Sequence, residues 1–332
     1  MKTRGKVIIS IVSILVILLA ITIGGGFYMI SYALQPEITS VEEGEHLTRE
    51  RFPQITPWID SLQINNALQD TVIIAKDGTP LHAMYAAAPV PTNRTAVIVH
   101  GYTDQAWEMM QIGYLYHHDL GFNVLLPDLR HAGLTPGPIV QMGWLDRLDV
   151  IQWINAAPSI FASVLPSSTD SSTSSADPAE NIEVVVHGIS MGGATTMMVS
   201  GEELPAYVKC FVDDCGYTSV WDQFKKELKE QFGLPTFPLL NTASSICDLK
   251  YGWDFKEASA IEQVRKCQLP MLFIHGDSDK YVPTWMVYDL YEAKSEPKEI
   301  WVSKDAGHNR TYDMYPEEYA QRVSNFVAKY MK

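Results

Sequence analysis

Apolar positions along this chain follow three rhythms. Near the start, Lys2, Arg4 and Lys6 give way to a charge-free stretch over residues 7–34, longer than the roughly 20 apolar residues that span hydrocarbon. From residue 71 onward the apolar runs are short: 71–74, 81–85, 95–99, 182–187, 210–212, 270–274 and 299–302. Their length, with polar or Gly/Pro boundaries, predicts strands. The first two flank Lys76, Asp77, Gly78 and Thr79, an Asp-Gly turn that predicts an antiparallel hairpin. The later runs alternate with helix-compatible segments, as a mostly parallel sheet requires. A helical rhythm appears at 221–228, where Trp221, Phe224 and Leu228 share one face, and more briefly at 58–62.

The N-terminal stretch predicts a membrane anchor. A cleaved signal peptide has an apolar core of about 7–15 residues and a small-residue cleavage site. This one is longer, and Ser31-Tyr32-Ala33 is a poor site placed far along. Tyr28 and Tyr32 suit the aromatic belt of a membrane interface. Three basic residues precede the apolar stretch, whereas Glu37, Glu42, Glu43 and Glu45 follow it, with no Lys or Arg between residues 35 and 45. That asymmetry predicts an N-terminus inside and the remaining chain outside.

The most informative local pattern is Gly188-Ile189-Ser190-Met191-Gly192, placed between the apolar run 182–187 and a helix-compatible stretch from Ala194. In strand–turn–helix order this G-x-S-x-G predicts a sharp elbow that lifts the serine hydroxyl clear of a sheet, beside a helix N-terminus. Other polar clusters end other predicted strands: His100 to Asp104 after 95–99, His275 to Pro283 after 270–274, and Lys304 to His308 after 299–302. Open α/β sheets gather their sites at such strand ends.

Over residues 70–332 the chain resembles the α/β-hydrolase superfamily of serine hydrolases. The resemblance implies an eight-stranded, mostly parallel sheet flanked by helices, with a helical lid. It implies Ser190 as nucleophile, Asp279 as acid within His275-Gly276-x-x-Asp279-x-x-Val282-Pro283, and His308 as base in Gly307-His308. It also implies an oxyanion hole from the N–H groups of Tyr102, which follows His100-Gly101, and of Met191. The turn Asp128-Leu129-Arg130-His131-Ala132-Gly133 resembles the family's D-x-R-G-x-G-x-S turn and departs from it at Ala132 and Leu134, a change expected to affect loop shape.

Alternatives stand beside these assignments. Asp277 could be the acid, although the spacing to Val282-Pro283 favours Asp279. Asp213 and Asp214 end the run at 210–212, from which some family members take their acid; otherwise they are turn carboxylates that brace the lid. His100, His187 and His275 end apolar strands and are expected to be structural, while His117, His118 and His131 are expected at the surface or in loops. No metal-ligand spacing or glycine-rich phosphate loop appears, and Gly24-Gly25-Gly26 is not one, so no cofactor is expected.

The expected organisation is a cytoplasmic tail and transmembrane segment (1–34), a spacer (35–69) and the hydrolase domain (70–332), with a lid at about 216–266 and a Ser/Thr-rich insertion at about 166–178. Four cysteines, Cys210, Cys215, Cys247 and Cys267, allow three pairings, of which Cys247 with Cys267 would brace the lid; pairing is left open. A net charge of −14 argues against nucleic acid as a partner. A serine nucleophile argues against the dehalogenase and epoxide chemistries for which the family uses aspartate. The expected substrate is a small or lipid-like acyl compound, with a peptide as the alternative. A membrane-tethered binding protein without turnover is the reading from another class.

Overall fold

An eight-stranded sheet carries the fold, built from the short apolar runs and one further strand. In the computed structural model, which describes residues 2–165 and 182–331, the strands are β1 (Leu68–Ile74), β2 (Pro80–Ala86), β3 (Arg94–Val99), β4 (Asn123–Pro127), β5 (Glu183–Ile189), β6 (Val208–Asp214), β7 (Met271–Gly276) and β8 (Lys298–Ser303). Their order is β1-β2-β4-β3-β5-β6-β7-β8. The pairs β1–β2 and β2–β4 are antiparallel and every other pair is parallel. The Ser/Thr-rich insertion expected at 166–178 lies outside the described residues. The helices are α1 (Lys2–Leu34), α2 (Val41–Arg51), α3 (Thr56–Ile64), α4 (Met110–Tyr114), α5 (Asp146–Ile160), α6 (Met191–Ser200), α7 (Val220–Phe232), α8 (Leu239–Tyr251), α9 (Ala260–Lys266), α10 (Trp285–Ala293), α11 (Thr311–Met314) and α12 (Pro316–Tyr330). The chain divides into two compact units, 37–218 with 259–332, and 1–36 with 219–258.

In the first unit the central strands are buried along their whole length, as parallel strands covered by helices on both faces must be. Met84, Ile98, Leu126, Val185, Val212 and Ile274 form one apolar face with Trp58, Ile59 and Leu62 of α3 and Tyr319, Val323 and Phe326 of α12. Neighbours that alternate with them, such as Val97, Leu125, Val186 and Phe273, are fully buried too, and α5, α6 and α10 pack along these strands. Burying one such Leu, Ile, Val or Phe contributes about 1.5–3 kcal/mol. The lead-in after α1 joins this core: Phe52, Ile55 and Trp58 are buried, and the Trp58 indole N–H donates to His117 Nδ1 at 3.2 Å. His117, expected at the surface, is therefore a core residue, whereas His118 is exposed and stacks on Tyr114.

The second unit contains α1, α7 and α8. Helix α1 runs unbroken through Gly24-Gly25-Gly26, and residues 5–21 are exposed all round. Beyond them Gly26, Ile30 and Leu34 are buried at a spacing of four, one face of a helix. The glycines allow close approach: a Cβ at Gly25 would stand 2.9 Å from Leu239 Cδ1, and one at Gly26 would stand 2.9 Å from Ile246 Cδ1 and 3.3 Å from the Ala243 backbone nitrogen. Tyr32 completes the contact, its ring edge-on to Phe232 and its hydroxyl donating to Gln231 at 2.8 Å. All four cysteines are buried free thiols, which answers the open question of their pairing.

Candidate active site

Ser190 occupies the turn between β5 and α6 with φ 58° and ψ −119°, a region that costs a non-glycine residue roughly 1–3 kcal/mol. The surroundings hold it there. Its N–H donates to Asp214 O at 2.7 Å, and its carbonyl accepts from the Ala194 N–H at 3.0 Å. The flanking glycines are required by space, because a Cβ at Gly188 would overlap the Gly192 carbonyl and one at Gly192 would overlap the Val99 carbonyl. The G-x-S-x-G pattern therefore has a local steric cause. Further non-glycine residues with positive φ, Thr103, Cys215, Asp305 and Asn309, also follow the carboxyl ends of strands. Backbone strain thus collects at one edge of the sheet.

At that edge the structure brings Ser190, His308 and Asp279 together. Ser190 Oγ lies 2.8 Å from His308 Nε2, and His308 Nδ1 lies 2.7 Å from Asp279 Oδ2. The other carboxylate oxygen, Asp279 Oδ1, accepts from the backbone N–H groups of Tyr281 and Val282, both at 2.9 Å. Burial pushes the Asp279 carboxyl up, but hydrogen bonds from His275 and His308 and their charge outweigh burial and bring it down to about 2. A carboxylate so held stays ionised and can orient an imidazole. Of the carboxylates weighed from sequence, Asp277 instead accepts from the Asp305 N–H at 2.7 Å.

His275 is the residue that the sequence undersold. Its Nε2 lies 2.9 Å from the Val282 carbonyl and 3.3 Å from Asp279 Oδ2. It therefore braces both ends of the loop that carries Asp279. Its signal was the spacing of four between His275 and Asp279 in the strand-end motif. Asp213 and Asp214, expected to brace the lid, brace the sheet end instead. Asp213 Oδ1 accepts from the Gly216 N–H at 3.0 Å, and Asp214 Oδ2 accepts from the Tyr319 hydroxyl at 2.9 Å. The Tyr319 oxygen also lies 3.0 Å from His187 Nε2, whose other ring nitrogen is 3.2 Å from Tyr116 Oη.

Burial raises the Asp213 carboxyl to about 8, reinforced by the charge of Asp214 and opposed by His275. Folded Asp213 thus keeps a proton that an unfolded chain releases near pH 4. Its contribution to stability is complete below that pH and is lost as pH rises toward about 8, by at most about 1.4 kcal/mol per unit. Asp213→Asn, which mimics the protonated shape, should flatten the decline of Tm between pH 5 and pH 8. Parallel melting profiles for both proteins would contradict this.

The expected oxyanion donors each follow the carboxyl end of a parallel strand, β3 for Tyr102 and β5 for Met191. Met191 is the first residue of α6, where an N–H has no intrahelical acceptor, and Tyr102 follows β3. His100 links that loop to the next, lying 2.8 Å from Gly101 O through Nδ1 and accepting from the Leu129 N–H through Nε2 at 2.9 Å. Asp128 accepts from the Ala106 and Leu134 N–H groups, so the altered turn is tied down despite Ala132 and Leu134. Cys215, Asp279 and His308 offer ligand-type atoms within 4.8 Å of one another. The latter two already bond each other, and burial pushes the Cys215 thiol well up, so this is a poor donor set for a cation.

A sequence model of the prolyl oligopeptidase family matches residues 175–332. An uncharacterized Bacillus subtilis protein, YqkD, is 27% identical over 243 residues, covering 73% of this chain and 74% of that one. Among solved structures, the Pyrococcus furiosus esterase Pf2001 aligns with a TM-score of 0.60 at 22% identity, over 80% of this chain and 93% of that one. A Mycobacterium tuberculosis puromycin-hydrolyzing peptidase aligns with a TM-score of 0.58 at 16% identity, over 80% of this chain and 39% of that one. The sheet order and the structural matches show the α/β-hydrolase fold, with the strained serine following its central strand β5.

Proposed function

We propose that the protein hydrolyses carboxylic esters or related acyl bonds through an acyl-enzyme on Ser190. The observation that carries this reading is the pair of short contacts linking Ser190 Oγ to His308 Nε2 and His308 Nδ1 to Asp279. As Oγ attacks the substrate carbonyl carbon, His308 Nε2 takes the hydroxyl proton and the carbonyl π pair moves onto oxygen. The N–H groups of Tyr102 and Met191 would hold that oxyanion, one such donor being worth about 2.7–4 kcal/mol in the transition state. Collapse expels the alcohol, which carries away the proton from His308. Water then attacks the acyl group with His308 again as base, and Ser190 is released. Asp279 keeps the imidazole in the tautomer that presents a free Nε2 lone pair.

An acyl substrate is favoured by the match to an esterase over nearly all of that chain's length. Peptide hydrolysis is a second reading, favoured by the prolyl oligopeptidase match. A panel of p-nitrophenyl esters of rising acyl length, run beside aminoacyl p-nitroanilides, tests the choice. The expected result is at least tenfold higher kcat/KM on an ester than on any anilide; the reverse order would establish a peptidase.

The same reading keeps α1 as a single-pass anchor with the N-terminus inside and the hydrolase outside. A removed signal peptide would not be part of the fold, yet Ile30 and Leu34 are 3% and 0% exposed. A purified protein whose chain starts beyond Leu34 would contradict this.

A further inference from the structure

We propose that α8 and the segment before it, residues 233–238, form a surface that seats in the headgroup region of the bilayer beside the exit point of α1. The proposal rests on α1 as a transmembrane helix. From Val7 to Gly26 is 20 residues, which at 1.5 Å per residue is about 30 Å, the thickness of the hydrocarbon core. The span thus ends at the glycines where α8 packs, against Leu239, Thr242, Ala243 and Ile246. Just beyond, Tyr28 and Tyr32 are 58% and 50% exposed, with ring centroids 6.2 Å apart. Tyrosines at this height belong to the membrane–water interface, where the ring is apolar and the hydroxyl is wet.

What the first part of α8, up to Cys247, and the segment before it bring to that height is uncharged. Charged residues make up 19% of the chain, yet none occurs from Gln231 to Cys247. Phe237 is 74% exposed and Leu234 41% exposed. Two charge-free stretches, residues 7–36 and 231–247, therefore meet at Gly26, and apolar side chains project from the second. A water-facing loop gains nothing from an exposed phenylalanine, whereas an interfacial one buries it among acyl chains. Continuity with the apolar cylinder of α1 selects lipid over a protein partner as the occupant.

The test uses the full chain reconstituted in phosphatidylcholine/phosphatidylglycerol vesicles. A nitroxide is attached at Phe237→Cys and, as an aqueous reference, at Arg265→Cys on α9, whose side chain is 54% exposed. The four native thiols are buried, and the unsubstituted protein measures their background labelling. Power saturation with oxygen and with a nickel chelate should give an oxygen-to-nickel ratio several-fold higher at position 237 than at 265. Equal ratios would overturn the proposal, and so would shielding from both reagents with spin–spin broadening, the mark of a second copy. Leu234→Cys gives the same readout should the first variant fail to fold. Fluorophosphonate reactivity of the labelled protein is followed in parallel, so loss of the interface and loss of the hydrolase reading are distinguishable.

Discussion

Ser190→Ala should lower kcat by about 10⁴–10⁶-fold while leaving Tm nearly unchanged. The range follows from nucleophile deletions in Ser-His-Asp sites, where only oxyanion donors and substrate binding remain to act. The fold has little reason to respond. The bonds that hold the elbow are those of the Ser190 backbone to Asp214 and Ala194, and alanine keeps both. Burst-phase kinetics on an activated ester, with a thermal melt of the same sample, checks both halves. A variant that keeps more than a tenth of the wild-type kcat would remove Ser190 from the chemistry.

Asp279→Asn should cost on the order of 10⁴ in kcat, for a geometric reason. Oδ1 is fixed by two backbone donors, the N–H groups of Tyr281 and Val282. An amide would turn its oxygen toward them and leave its NH₂ facing His308 Nδ1, which would have to accept rather than donate. The ring proton would then sit on Nε2, the atom that must take the proton of Ser190. A loss below tenfold would return Asp213, Asp214 or Asp277 to the role. Stability should respond with a definite sign. The carboxyl of Asp279 is lowered to about 2, so its contribution is present above about pH 4 and lost as pH falls through 2. The deficit of the variant in Tm should therefore be larger at pH 7 than at pH 3.

Much of this site was legible because its parts are local. Gly188 and Gly192 are forced by contacts within a turn of Ser190 and across to Val99, and each strand-end cluster sits next to its own apolar run. The choice of Asp279 over Asp277 followed from two residues of spacing, and its physical basis is the pair of N–H groups that spacing supplies. What stayed hidden depends on partners far away in the chain. His117 is buried by a bond to Trp58, 59 residues earlier. Asp214, His187 and Tyr319 meet across 132 residues, and no periodicity reports that. Gly24-Gly25-Gly26 stood out in the sequence without an evident purpose, because α8, which needs the space, lies more than 200 residues downstream. Helix α2 and the packing of α3 were equally hard to see in a lead-in whose charged residues outnumber its apolar ones over 41–51.

The most direct measurement is the site of reaction with a fluorophosphonate, read by peptide mass spectrometry on the full chain. One adduct per protein is expected on the peptide containing Ser190, abolished by Ser190→Ala and strongly slowed by Asp279→Asn. An adduct on another residue, or labelling indifferent to Ser190→Ala, would contradict it.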